Sequence, residues 1–476
     1  MKILLIYPPK QHHMFGSTPH TDIIETEAGC YPPIGLLYIA AYLEKNSHHS
    51  VKIIDSVAEK LTHNQLKQII ASEKVEIIGI YFSTFYLYDS ILVAKNAKII
   101  SSEIITIAGG PHVNLYPVET ISIPEIDIAV EGEGEIVLNQ IVNAIEKNRK
   151  NPDIEKIPGV ILKTNKTKYI PAIKINQLDI LPFPARHLIN YKKYNSILAK
   201  HNPITTIISS RSCPFKCKFC SNLESGQKVR FRTAKNVVDE LEECVKKYKI
   251  YNFLFFDELF TSNKQRVLEI CSEILNRKLK ISWQCRSRAD TIDEQMIKIM
   301  KKAGCRLIQF GIETGCQRLQ KLINKNLDLL KVKNLIKMVS KTGIFTYGDF
   351  MIGLPTETDE ETRATIEFAK HLQLDYAIFG MFGPMYGSIF YEEGINKKLF
   401  SDFWKEFVNN PQIPISDGSW TRKDAHKYFE LINFAYKEFY FRPGYMLHRF
   451  FRTDSFSQML WQIKSGIRAF SKLFFN

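Results

Sequence analysis

The sequence predicts an α/β protein: an amino-terminal doubly wound, Rossmann-like domain, then a partial (βα)6-type barrel and a helical carboxyl-terminal region. Three observations carry this. Short β-branched runs alternate with helical spacing over the first 145 residues, the alternation resumes in six units between Thr205 and Met381, and a proline-rich stretch separates the two series. At 476 residues the chain is also too long for one ordinary core.

In domain 1–145, strand-like runs cover Lys2 to Tyr7, Val51 to Asp55, Ile77 to Tyr81, Ile104 to Ala108 and Asp127 to Val130. Helical spacing lies between them, as in Leu36, Leu37, Ile39, Ala40 and Leu43, or Ile91, Leu92, Ala94 and Ala97. Strand, helix, strand at this interval implies a parallel sheet, and such sheets take ligands at the carboxyl ends of their strands. Those ends carry Pro8-Pro9, Ser83-Thr84, Gly109-Gly110-Pro111-His112 and Glu131-Gly132-Glu133-Gly134-Glu135.

Residues 146–200 read as a linker with a small β element, from Pro152, Pro158, Pro171, Pro182 and Pro184 around a hairpin-like Asn165-Lys166. The barrel, 201–394, draws strands from Thr205 to Ser209, Phe253 to Phe256, Ser282 to Arg286, Leu307 to Ile312, Thr346 to Ile352 and Tyr376 to Met381. Its active site belongs at the carboxyl-end loops. Residues 395–476 are aromatic, basic and mostly helical in spacing.

Composition narrows the class. Hydrophobic residues make up 45% and charged residues 24%, as in globular proteins, and apolar runs such as 251–256 are broken too soon for a membrane span. The first residues run into prolines without a small-residue cleavage site and read as a strand, not a signal peptide. Nine cysteines, an odd number with only Cys213, Cys217 and Cys220 tightly grouped, fit a reducing cytoplasm and leave thiols for metal. The net charge of +14 favours acidic substrates, nucleic acid or anionic lipid. Lysine-rich codon usage would give the same excess, and no recognisable nucleic-acid module accompanies it, which argues against that partner.

Cys213-Pro214-Phe215-Lys216-Cys217-Lys218-Phe219-Cys220 follows the first barrel strand, so three thiols share one loop at the barrel mouth. Three thiolates hold three irons of a cubane and leave the fourth open, whereas structural zinc takes four protein ligands and no second pair stands nearby. This spacing, with an aromatic before the last cysteine, resembles the signature of the radical S-adenosylmethionine (SAM) superfamily. The resemblance implies a 4Fe-4S cluster on Cys213, Cys217 and Cys220, a partial (βα)6 barrel, and SAM bound to the open iron. Phe219 then either packs or shields the cluster and contacts adenine.

Further stretches extend the resemblance. Phe255-Phe256-Asp257-Glu258 stands where the family receives the amino group of SAM. Gly311-Ile312-Glu313-Thr314-Gly315 is similar to the segment whose carboxylate lies near the SAM ribose and methionine. Phe350-Met351-Ile352-Gly353-Leu354-Pro355-Thr356-Glu357-Thr358 resembles the segment supporting SAM from the fifth strand. Asp257 or Glu313 could instead be a helix cap or a buried ion-pair partner. Arg286 and Arg288 suit the SAM carboxylate, or form a surface pair.

The front domain resembles the cobalamin-binding domain of class B-like radical SAM enzymes, through Tyr31-Pro32-Pro33-Ile34-Gly35-Leu36, Gly109 to His112, Val130 to Glu135 and Leu181 to His187. Residues this places near cobalamin are Ser83, Thr84, Gly109, Gly110 and Glu131. No Asp-x-His-x-x-Gly is present, so cobalt would lack a histidine below it; alternatively the domain keeps the fold without the cofactor. His12, His13, His48 and His49 read as solvated loop residues.

The resemblance implies cleavage of SAM to a 5′-deoxyadenosyl radical and, with cobalamin, methylation of an unactivated carbon in a small-molecule or lipid-like substrate. The alternative is cobalamin-assisted oxidation, cyclisation or rearrangement. A methylthiotransferase would carry three cysteines in the front domain, where only Cys30 stands; a scaffold that keeps the fold would make no 5′-deoxyadenosine. No catalytic side chain is assigned; Cys305 and Cys316 read as small core residues before hydrogen donors. A flavodoxin- or ferredoxin-type reductant is implied. Leu460, Ile463, Ile467, Phe470, Leu473 and Phe474 share a basic amphipathic face that caps the barrel or lies peripherally on a membrane.

Overall fold

Five parallel strands build the first sheet because their residues are apolar on both faces. Ile3, Leu4, Leu5 and Ile6 are each at most 1% exposed, as expected where helices cover both sides of a sheet. The computed structural model describes residues 1–12, 29–166, 168–222, 224–413, 415 and 425–452. His13 and the amphipathic face from Leu460 onward lie outside them.

The strands are β1 (Lys2–Tyr7), β2 (Ser50–Asp55), β3 (Ile77–Tyr81), β4 (Ile105–Gly109), β5 (Ile128–Val130) and β6 (Val160–Ile161). Their order is β2-β1-β3-β4-β5-β6, with β6 antiparallel to β5. The order reverses between β1 and β3, the switch point where such sheets take ligands.

The second sheet contains β7 (Ile204–Ile207). A two-residue hairpin, β8 (Ser210–Arg211) with β9 (Arg230–Phe231), follows it. Then come β10 (Asn252–Phe255), β11 (Ser282–Ser287), β12 (Cys305–Glu313), β13 (Phe345–Ile352) and β14 (Tyr376–Met381). Six strands run parallel in chain order, β7-β10-β11-β12-β13-β14, an open barrel with two edges. The barrel strands begin and end within two residues of the runs expected from sequence.

Side chains alternate along each strand, so one set faces the crossover helices and the other the lumen. Phe255, Phe260 and Trp283 cluster on the helix side, with Trp283 Nε1 donating to Ala303 O at 2.8 Å. Leu307, Phe345 and Tyr347, joined by Leu198, Tyr376 and Ile378, plug the floor of the lumen.

The edge strand β14 is finished by side chains rather than by another strand. Tyr440, on the helix Ala425–Tyr440, accepts from Ala377 N–H at 3.0 Å and donates to Ala377 O at 2.8 Å, while Tyr436 OH accepts from Phe379 N–H at 3.3 Å. Unpaired edge groups are thereby satisfied. Buried Asp375 anchors Arg449 and Arg452, both at 3.0 Å.

By contacts the chain forms two compact units, Met1–Ser196 with Asp402–Ser416, and Ile197–Ser401 with Asp417–Asn476. Buried Trp404 meets Phe85, just after β3, edge to face at 6.4 Å. Among the described residues no helix is long and apolar enough to cross a membrane.

Candidate active site

The cysteine loop springs from the β8–β9 hairpin and is pinned by its own backbone. Gly226 N–H donates to Cys213 O at 2.7 Å, Cys220 N–H to Cys217 O at 3.1 Å, and Lys218 N–H to Ile323 O at 3.0 Å. Glu224 gathers Ser212 Oγ at 2.6 Å and Arg230 at 3.2 Å, bracing the loop's base. All three thiols are half-buried. They stand close enough that the charges of Cys217 and Cys220 act on Cys213.

Cations stand beside these sulfurs. Arg288 donates to Cys217 Sγ at 3.6 Å and stacks on Phe215 at 3.8 Å, with Asp290 and Lys325 O fixing its other nitrogens. Burial pushes the Cys213 and Cys217 thiols up, and at Cys217 the charges of Lys325 and Arg288 oppose this. Arg288 is therefore a brace of the loop. Phe219 packs against Leu319, Ile323, Leu354, Phe382 and Phe390.

At the strand ends the expected residues divide. Asp257 is 1% exposed and accepts from Ser209 N–H (2.7 Å), Ser209 Oγ (2.5 Å), Ser210 N–H (3.1 Å), Ser210 Oγ (2.7 Å) and Arg266 (3.2 Å). It knits β10 to β7 and keeps no oxygen for a ligand. Glu258, one residue on, points the opposite way. Its carboxyl is reachable by solvent yet walled by protein, so burial raises its pKa while Arg286 pulls it down.

Glu313 ends β12 at φ +68°, in the left-handed region, beside a register shift against β13. This kink sends its carboxylate to Lys325 at 2.7 Å. Gly311 makes room: a Cβ there would lie 2.5 Å from Glu313 Oε1 and 2.7 Å from Lys325 Nζ. Gly353, at φ +92°, and Leu354 donate their N–H groups to Glu357 at 2.6 and 2.7 Å, so this loop is closed from within.

The lumen is layered. On the lumen face Arg286 pairs in register with Gln309, and Asp349 lies two residues farther along, opposite Gly311, so Gln309 reaches Asp349 diagonally. Arg286 lies over the exposed ring of Phe256 at 5.1 Å, and Gln309 Nε2 donates to both Asp349 oxygens at 3.0 and 2.9 Å. Burial, then the charge of Glu313, pushes Asp349 up to about 7. Asp349, Gln309 and Lys325 escaped the sequence reading. Counting back four residues along β12 from Glu313 and along β13 from Gly353 would have found the first two.

Cys305 starts β12 at the opposite end, fully buried, as a core residue does; Cys316 Sγ donates to Glu361 at 3.2 Å.

In the first unit, Gly110 has φ +116° and a Cβ there would lie 2.7 Å from Phe82 O, whereas Gly109 faces open space. Ser83 is half-buried. Thr84 is fully buried and bonded to His112 Nδ1 at 3.0 Å. Burial lowers His112 to about 3, so it is neutral and enclosed, out of reach as a metal ligand. Glu131 accepts from Tyr169 OH at 3.3 Å and Ala172 N–H at 3.1 Å, holding the linker's β element.

Of the loop histidines, His12 and His48 are exposed as expected, although His12 also meets buried Asp89 at 2.7 Å beside His63; His49 is instead buried beside the amino terminus at 3.2 Å. A short helix start or a nearby carboxylate is invisible to a reading of loop composition.

Comparison with known proteins agrees with both halves. The Radical SAM superfamily matches residues 207–369 and the B12 binding domain matches residues 21–142. An uncharacterized methyltransferase of Pyrococcus horikoshii is 34% identical over 100% of this chain and 99% of its own. The anaerobic magnesium-protoporphyrin IX monomethyl ester cyclase of Rubrivivax gelatinosus is 28% identical, over 94% of this chain and 79% of its own. In structure, the radical SAM methyltransferase TsrM of Kitasatospora setae superposes with TM-score 0.67 at 18% identity, covering 83% of this chain and 78% of that one.

A barrel with a three-cysteine loop, following a B12-type sheet in the chain, defines the class, an enzyme. The chain belongs to the radical SAM superfamily, in its cobalamin-binding branch.

Proposed function

We propose that this enzyme transfers a methyl group to a carbon of a small-molecule substrate by radical chemistry. The observation that carries the reading is the link from the cysteine loop to the strand ends: Arg288 touches Cys217 and Lys325 O, and Lys325 pairs with Glu313. Cysteine loop and strand-end carboxylate thus share one electrostatic unit.

Cys213, Cys217 and Cys220 suit a 4Fe-4S cluster, because three thiols and no fourth leave an open coordination site. Ser83, Gly109 and Gly110 suit cobalamin, because the backbone at Gly109 is open to close approach. When bound, the cluster supplies the electron that splits SAM, and cobalamin supplies the methyl group delivered to carbon.

The chain's own part is to hold and to dry. Arg286, aimed into the lumen over Phe256, takes the SAM carboxylate, since a guanidinium fork matches that shape. Glu258 and the backbone beside it take the amino group. Glu313, held by Lys325, faces the ribose. Gly353 keeps its loop close against Tyr428, whose ring a Cβ would strike at 2.8 Å. The floor of Leu307, Phe345 and Tyr347 closes the lumen below, keeping water from a reactive intermediate.

The test is anaerobic. Protein reconstituted with iron, sulfide and cobalamin, then reduced by a flavodoxin- or ferredoxin-type donor or dithionite, should yield 5′-deoxyadenosine from SAM. With a small-molecule extract as acceptor it should also yield S-adenosylhomocysteine. A preparation that shows both corrin and iron–sulfur absorption but forms neither product defeats the proposal. The similarity to a cyclase over 94% of the chain favours a second reading, non-methylating radical oxidation, for which 5′-deoxyadenosine would appear without S-adenosylhomocysteine.

A further inference from the structure

We infer that the Gln309–Asp349 pair is an acceptor site for a hydroxyl or protonated amine on the molecule to be modified. The inference rests on the reading of the barrel as a SAM site and adds the chemistry of the second ligand.

The pair borders the apolar floor: Gln309 is in register with Tyr347, and Asp349 with Ile378. Gln309 Nε2 is shared between both Asp349 oxygens at 3.0 and 2.9 Å. Each carboxylate oxygen has two acceptor directions, so this one amide leaves acceptor capacity toward the lumen, with Gln309 Oε1 beside it. Asp349 is half-buried there. Placing an ionisable carboxyl at a level where leucine would pack costs free energy, and a packing role gives no reason for it.

The neighbours decide the sign. Glu313 raises the negative potential at Asp349, while Arg286 and Lys325 are the cations facing it, and Arg286 is held over Phe256. A second anion at this point would meet two carboxylates. A donor, neutral or positive, completes the set. With Asp349 pushed up to about 7, its carboxylate form grows across neutral pH, so a cationic donor should bind better as pH rises from about 6 to about 8.

The experiment uses three probes with one ring and different polar groups: benzyl alcohol, benzylamine and benzoate. Saturation-transfer NMR on the full-length protein should show the alcohol and the amine binding more strongly than benzoate. Benzylamine binding should rise with pH. Asp349→Asn, which keeps an acceptor but no charge, should cut benzylamine binding about tenfold, the size of one charge-assisted bond, and flatten its pH profile. Asp349→Leu should remove both donors. Thermal melts of each variant establish folding.

Equal binding of all three probes, or binding unchanged in folded Asp349→Asn, overturns the inference. SAM affinity of the cluster-loaded variant separates the sources: a loss as large as that of the probes assigns the acceptor to the ribose diol and overturns it too. Wild-type protein that selects the donors but makes no 5′-deoxyadenosine keeps this site and removes the proposed function instead.

Discussion

The two sheets use their strand ends in opposite ways. In the first unit the polar side chains there are consumed by the protein: Thr84 by His112, Glu131 by Tyr169 and Ala172, Asp55 by Tyr194 at 2.9 Å. What stays open is backbone, at Gly109. In the second unit Arg286, Glu258 and Asp349 remain reachable, and Glu313 is held by Lys325 in strained backbone. A large rigid cofactor is held by shape and many weak contacts. A small charged one is held by few, strong and oriented groups.

The sharpest way to break this contrast is at the cysteine loop. Cys217→Ala should abolish iron–sulfur absorption and 5′-deoxyadenosine formation while leaving corrin binding in the first unit intact. Iron analysis and the corrin spectrum of one sample measure both. Loss of both cofactors together would show that the units do not act separately.

A pair of glycine substitutions sharpens the comparison further. Gly311→Ala places its methyl against the far ends of Glu313 and Lys325, which can swing away, so stability should hold while SAM affinity falls about tenfold. Gly110→Ala meets a backbone oxygen, Phe82 O, at φ +116°, and neither can yield. It should cost about 1–3 kcal/mol of stability, read by urea denaturation, and leave the barrel's SAM affinity unchanged. The same added methyl is thus felt as chemistry in one unit and as folding in the other.

These residues also mark how far sequence reaches. Strand runs were legible because apolar periodicity is local, and the cluster because three thiols lie within eight residues. Asp257 and Glu258 are adjacent and face opposite ways, so only the register of β10 decides which one meets the lumen. Gln309 and Asp349 meet across β12 and β13, and Lys325 reaches Glu313 from a loop, so each strand can flag its own residue but no local pattern pairs them. The return of Asp402–Ser416 to the first unit depends on where Trp404 finds a partner, which composition does not encode.

The smallest effect concerns how an open barrel avoids an exposed edge. Tyr440 OH serves both polar groups of Ala377, one as acceptor and one as donor, so Tyr440→Phe removes two bonds while keeping the ring against Phe439 and Tyr445. Tyr440 is half-buried but Ala377 is not exposed, so a small local shift rather than water must relieve what is lost. The expected cost is about 1 kcal/mol, at the low end for orphaned backbone groups. It should appear as a lower urea midpoint with an unchanged slope, together with faster hydrogen exchange at Ala377, the amide that loses its partner. Exchange at Ala377 that stays unchanged would mean that the hydroxyl does not act as the missing strand.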